Sequence, residues 1–155
     1  MTTLRPMLPA DGPALAELFR LSIEVLTEED YDEDQREAWM ASADDEAAFG
    51  AKLANALTIV AENDGEIAGF ASLDQGAITM LYVHPQAARQ GVGTVLADAL
   101  ERLGAARGLE AISVDASDTA HDFFKNRGYV PQRRQSLVRE DVVLSNTYMI
   151  KKLKA

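Results

Sequence analysis

Between Tyr82 and Leu96 the chain reads YVHPQAARQGVGTVL: an apolar run, a proline, two glycines one residue apart, then an amphipathic segment. Gly91 and Gly93 stand where the first turn of a helix is expected, although glycine costs roughly 1 kcal/mol against alanine inside a helix. A helix start presents unpaired N–H groups and about half a positive charge. A residue without a Cβ lets that backbone approach a ligand closely. Strand, glycine turn and helix together make an anion cradle; the alternative is a tight strand-to-helix turn that binds nothing. Two familiar phosphate loops are excluded. No lysine follows either glycine as a Walker loop requires, and Leu96 stands where a dinucleotide fingerprint has its third glycine.

Other chemistries are removed by composition. The chain has no cysteine, so disulfides, thiolate metal sites and a cysteine nucleophile are absent. His84 and His121 are its only histidines, no HExxH occurs, and no metal is expected. A net charge of −10 argues against general nucleic-acid binding. The acid is concentrated: residues 1–84 hold 17 acidic and 4 basic side chains, whereas residues 85–134 hold 6 and 7. The glycine turn therefore lies in the balanced part.

The elements that must position these residues follow from length and periodicity. At 155 residues the chain fits a single domain spanning 1–155. No run has the ~18 apolar residues of a membrane span, and the first residues have no apolar signal-peptide core, so a soluble cytoplasmic protein is expected. Leu4–Leu8 reads as an edge strand because of Pro6. Asp11 reads as the cap of a helix with Pro13 in its first turn. Residues 27–56 read as one or two acidic helices. LTIVAEN and EIAGFASLD flank the hairpin signal NDG, and AITMLYVHP, apolar on both faces, reads as a central strand. Val92, Val95, Leu96, Ala99, Leu100 and Leu103 make a helical stripe that stops at Gly108. A strand at LEAISVDAS, a short helix ended by Gly128 and a last hairpin complete the order β-α-α-β-β-β-α-β-α-β-β, a mixed α/β sheet.

The stretch ITMLYVHPQAARQGVGTVLADAL closely resembles the acyl-CoA-binding motif of the GNAT superfamily of N-acetyltransferases: central strand, V-x-P step, R/Q-x-x-G-x-G/A turn and long helix, in family order. AHDFFKNRGYV resembles that family's A-x-x-x-Y-x-x-x-G-F helix and turn, and YDEDQREAW, VDASDTAHDFF and SNTYM resemble a small bacterial branch, the YafP-like acetyltransferases. The resemblance implies the GNAT acyl-CoA N-acyltransferase fold, whose central fourth and fifth strands splay apart, and acetyl-CoA as donor. The pantetheine arm would pair with Leu81, Tyr82 and Val83 like an added strand. The diphosphate would sit on the backbone N–H groups of Arg89, Gln90, Gly91, Val92, Gly93 and Thr94. Ala88 departs from the motif, which has Gln or Arg there. The family's asparagine position falls on Ser117 or Asp118, and Ser117 is expected at the cofactor.

Phe124, also expected at the cofactor, occupies the position of the tyrosine that protonates the departing thiolate in many relatives, and phenylalanine has no proton to donate. The central strand also lacks the glutamate base of some members. Direct attack by a neutral amine in a ternary complex needs neither, because water can carry the proton. The catalytic candidates are Asp115, as base or as a strand-end cap, and Tyr82, as acid or as packing. Tyr31 and Tyr148 are candidates for the acceptor pocket, and Trp39 is read as packing. The acidic run Glu28–Glu37 either rims the acceptor entrance and attracts a cationic amine or is a solvated helix start. The expected activity is N-acetylation of a small-molecule or peptide amine, by a monomer or homodimer; the alternative is a non-catalytic acyl-CoA-binding sensor or interaction protein of the same fold.

Overall fold

The computed structural model describes residues 2–153. In chain order the elements are β1 (Thr2–Pro6), α1 (Gly12–Leu26), α2 (Glu33–Met40), α3 (Glu46–Ala54), β2 (Leu57–Asn63), β3 (Glu66–Asp74), β4 (Ala77–Val83), α4 (Val92–Ala106), β5 (Ala111–Ser117), α5 (His121–Asn126), β6 (Val130–Arg139) and β7 (Val142–Lys152). They build one sheet in the order β1-β2-β3-β4-β5-β7-β6, antiparallel except where β4 lies beside β5. This is the expected mixed α/β fold, and of the one or two acidic helices read between the first helix and β2 the chain forms two, one more than the element order allowed. Two separate caps make the division. Asp32 accepts from the Gln35 N–H at 2.8 Å and Asp45 from the Ala48 N–H at 3.0 Å, each worth about 1 kcal/mol. Asp11 does not cap α1 with its side chain. Its carboxylate takes the Leu8 N–H at 2.7 Å and the Arg5 guanidinium at 2.8 and 3.0 Å, so that it clamps the entry of α1 to β1. Arg5 accordingly holds the Asp11 carboxyl below its ordinary value.

Both faces of the sheet are covered. Leu96, Leu100, Ile112, Phe124 and Met149 belong to the core on the side of α4 and α5. Leu15, Phe19, Phe49, Leu53 and Phe70 belong to the core under α1 and α3. The central strand changes face partway along. Ile78 packs in the first core and Met80 in the second, although strict alternation puts residues two apart on one side. The cause is a bulge: Leu73 pairs with Ile78 and Ser72 with Met80, leaving Thr79 without an opposite residue. At that same point β4 leaves β5. Only Ala77 and Ile78 pair with β5, through Ser113 and Val114, while β5 runs on to Ser117 against β7. The splay is thus built by one extra residue in β4.

α4 lies close over the sheet because Gly69 stands beneath it. A Cβ at Gly69 would come within 2.8 Å of the Tyr82 carbonyl oxygen, and within 3.1 and 3.2 Å of Val92 and Leu96 side-chain carbons. Gly69→Ala is therefore expected to destabilise by about 1–3 kcal/mol, the usual cost of overpacking. A melting temperature within a degree of wild type would show that β4 and α4 yield freely.

Candidate active site

The gap between β4 and β5 holds two cavities. The larger, about 500 Å³, runs from Leu81 and Val83 to the start of α4, with Phe123 and Thr119 on its far side. The smaller, about 350 Å³, lies under α1 and α3 and is closed by β5 and the β6–β7 hairpin. Trp39, Tyr82 and Ser117 line both, so the cavities meet there.

The backbone at the larger cavity is unsatisfied in two places. His84 donates its N–H to the Ala68 carbonyl on β3 at 2.8 Å. Alternation along the antiparallel pair then turns the polar backbone groups of Tyr82 toward β3 and those of Leu81 and Val83 into the gap. At the glycine turn, among the described residues, no backbone or side-chain acceptor takes the N–H of any residue from Arg89 to Thr94. The ladder of α4 begins with Val95 N–H to Gly91 O at 3.1 Å. Gly91 is left-handed (φ +86°), and no atom lies within 4 Å of a Cβ built there. A left-handed residue next to a helical one turns consecutive N–H groups toward one point. The residues present therefore fit an extended chain ending in a diphosphate: strand edge, open turn and helix N-terminus in line.

Of the residues expected at the cofactor, all but Gln90 and Phe124 line this cavity. Gln90 has its side chain turned to the Gln86 carbonyl at 3.1 Å. Phe124 is only 3% exposed and packs against Tyr129, the ring centroids 5.1 Å apart. Successive residues of a helix point about 100° apart, so only one of the pair can face the cleft, and it is Phe123. The Phe124 expectation is corrected accordingly, and the missing proton is not restored, since Phe123 has none either.

On the acceptor side an aromatic series runs from Phe49 to Phe19 (5.1 Å), Tyr82 (4.8 Å), Trp39 (6.3 Å) and Tyr31 (5.3 Å). Tyr31 lines the smaller cavity with its ring. Its hydroxyl accepts from the Asp118 N–H and donates to the Ser145 carbonyl, both at 2.9 Å. Together with Thr119 donating to Asp30 at 2.8 Å, it straps the α1–α2 connection onto the end of β5. Burial pushes the Tyr31 hydroxyl above its ordinary pKa, and Arg134, bidentate at 2.7 and 2.9 Å, holds the Asp118 carboxyl below its own. Tyr148 lines neither cavity. α2 covers the start of β7, where Gln35 donates to Val143 O, and Tyr148 lies farther along under the Arg133 guanidinium, 4.4 Å above its ring. That corrects its expected place in the acceptor pocket.

Tyr82 is on the shared wall. Burial pushes its hydroxyl up to about 12, opposed by the Trp39 indole, which can only donate. Asp115 lines the smaller cavity and accepts from Gln135 Nε2 at 2.8 Å. It caps nothing. Ser117 does, its hydroxyl taking the Ala120 N–H at 3.1 Å. For the acidic run the structure favours the second of its two readings, a solvated helix start, because none of its carboxylates lines either cavity. Asp32 caps α2, Glu33 and Asp34 occupy its first turn, and Asp30 belongs to the strap. Residues not singled out from the sequence are also present: Lys52, Gln135, Arg139 and Asn146 surround Asp115 or the cavity mouth. Lys52 is exposed, one turn after buried Phe49 on α3, and nothing in that spacing points to a cavity.

Comparison with known proteins agrees with this geometry. Residues 27–152 match the family model described as acetyltransferase (GNAT) domain. A crystal structure from Rhodopseudomonas palustris, described as a GCN5-related N-acetyltransferase and also as an aminotransferase, class-II, is 49% identical, with TM-score 0.96, over 99% of this chain and 96% of that one. The Escherichia coli (strain K12) protein "Uncharacterized N-acetyltransferase YafP" is 29% identical over 146 residues, 94% of this chain and 93% of its own. The PaiA N-acetyltransferase of Thermoplasma acidophilum, solved with coenzyme A, shares the fold at TM-score 0.78 and 18% identity, over 98% and 99% of the two chains. No helix among the described residues is long and apolar enough to cross a membrane. The chain belongs to the GNAT acetyltransferase family and is an acyltransferase of the class that uses acetyl-CoA.

Proposed function

We propose that the protein moves an acetyl group from acetyl-CoA to a primary amine by direct attack in a ternary complex, with the donor in the larger cavity and the amine in the smaller. The meeting of the two cavities at Tyr82, Trp39 and Ser117 carries this reading. The N–H groups of residues 89–94, which no acceptor among the described residues takes, hold the diphosphate, and the exposed backbone of Leu81 and Val83 holds the pantetheine arm. The thioester supplies an activated acyl group. The neutral amine nitrogen attacks its carbonyl carbon; the C–N bond forms and the C–S bond breaks. One proton leaves the nitrogen, taken by Asp115 directly or through water, and one proton joins the sulfur, leaving amide and free CoA. A CoA thiol titrates near the free-cysteine value, roughly 8.5, so it departs tolerably as thiolate at neutral pH.

Gly91→Asp tests the cradle. The added carboxylate meets no protein atom within 4 Å of its Cβ, and aspartate tolerates the left-handed region better than most residues. The variant is expected to fold and to lose at least about tenfold in acetyl-CoA affinity, or 1.4 kcal/mol. Unchanged affinity by calorimetry in a folded variant removes the diphosphate from this turn. Release of CoA only in the presence of an amine separates turnover from mere binding.

A further inference from the structure

We propose, building on the assignment of the smaller cavity to the acceptor, that the acceptor is amphoteric: a small amine with an apolar or aromatic body and one carboxylate, as in a free α-amino acid. The evidence is the charge of the walls. Residues 1–84 hold 17 acidic side chains and only four basic ones. Arg5, Arg20 and Arg36 are committed, to Asp11 and Glu62, to Glu46, and to Glu24 with the Tyr31 carbonyl. Lys52 alone has no acidic partner among the described residues, and it lines the smaller cavity. Across from it, Arg139 ends β6. Arg133 is stacked on Tyr148 and Arg134 is paired with Asp118, whereas Arg139 has no acidic partner among the described residues and also lines the cavity. Its charge reaches far enough in to oppose the rise of the Tyr82 hydroxyl. Against these two cations the cavity lining holds one carboxylate, Asp115. A protein of net charge −10 thus presents its acceptor with a locally positive mouth.

The arrangement has a direction. Lys52 and Arg139 are exposed side chains on α3 and at the end of β6, so they stand at the opening. Asp115 lies two residues from Ser117 on the same face of β5, toward the junction with the larger cavity. In an α-amino acid the two groups share one carbon, so an amine turned to Asp115 leaves its carboxylate on the side of Lys52 and Arg139, whose long side chains can extend toward it, the guanidinium being suited to bidentate pairing. The apolar side chain, branching from that same carbon, lies against Phe19, Phe49, Trp39 and Tyr82. At about 350 Å³ the space is at the small end of ligand cavities, roughly 300–1,000 Å³, which favours a free small molecule over a peptide. A purely cationic amine would meet two like charges at the entrance.

The test compares L-phenylalanine, L-methionine and L-leucine with their own amides, which keep body and amine and lack the anion. kcat/KM from CoA release is measured beside acetyl-CoA binding by calorimetry. At least one of the acids is expected to be acetylated, at least about tenfold better than its amide, 1.4 kcal/mol. The amide's amine is the less basic and so more often neutral, which biases the comparison against the proposal. The preference is expected to shrink with added salt, because charges at an open mouth are screened. It is expected to vanish in Lys52→Gln/Arg139→Gln, two exposed substitutions that leave the donor cavity untouched, with acetyl-CoA affinity unchanged. Equal or better use of the amides, a preference that survives the double substitution, or acetyl-CoA binding with none of the three acids acetylated overturns the proposal alone. Failure to bind acetyl-CoA overturns the proposed function itself.

Discussion

Asp115→Asn is expected to lower kcat by about a hundredfold or more, within the range of positioned acid–base groups, while acetyl-CoA affinity and melting temperature stay near wild type. The carboxylate is exposed on β5 and faces the smaller cavity. Its one side-chain hydrogen bond, from Gln135, is part of a chain in which Gln135 also donates to Asn146 at 2.8 Å. Asparagine retains a carbonyl oxygen for Gln135 and keeps the shape of the site, but it neither accepts a proton nor balances an ammonium. Because Ser117, not Asp115, caps the turn before α5, the stability change should stay within about 0.5 kcal/mol, as at other exposed positions. Rate at saturating acceptor and thermal melting are measured on the same preparation. A wild-type kcat removes Asp115 from the chemistry, and a stability loss with intact rate returns it to a structural role.

Tyr82→Phe is expected to lower kcat ten- to a hundredfold without unfolding the protein, since the ring keeps its neighbours Phe19, Phe70 and Trp39. With its hydroxyl pushed up to about 12 by burial, Tyr82 stays protonated throughout the neutral and mildly alkaline range. Full transfer of its proton to a thiolate whose acid titrates at roughly 8.5 is uphill by several units. Its contribution is then a hydrogen bond donated to the developing charge, not a proton delivered. The pH–rate profile should accordingly show no fall assignable to Tyr82 below about pH 12, and the loss in the variant should be equal at every pH up to ~9. An alkaline fall near pH 9–10 that disappears in Tyr82→Phe would show a tyrosine titrating far lower than its burial implies.

The donor side of the site is legible in the sequence because its signals are local. A glycine turn before an apolar stripe at helical spacing, a proline after an apolar strand and a glycine after a short helix each act within a few residues. The acceptor side is assembled from five distant segments, and local patterns misdirect there. The charge of Glu28–Glu37 says that this stretch is solvated, not which way it faces, and caps turned it outward. ITMLYV is apolar throughout, so no alternation is available to reveal the bulge at Thr79, which appears only when β3 pairs with it. Phe123 and Phe124 are chemically identical neighbours, and only the ring of Tyr129 beneath decides which is core. Arg139 reaches the cavity because the β6–β7 hairpin folds back over it, a contact that no spacing encodes.

The position of Trp39 has an optical consequence. It is the single tryptophan of the chain and part of the wall between the two cavities. The indole fluorescence of the protein therefore comes from one ring that stands beside both substrates, with Tyr31 and Tyr82 close enough to feed it excitation energy. Each ligand should alter the same emission band, and the second to bind should do so against a background set by the first. Stopped-flow mixing in both orders would then read the binding sequence of a two-substrate enzyme from its native emission, with no label attached and no residue replaced.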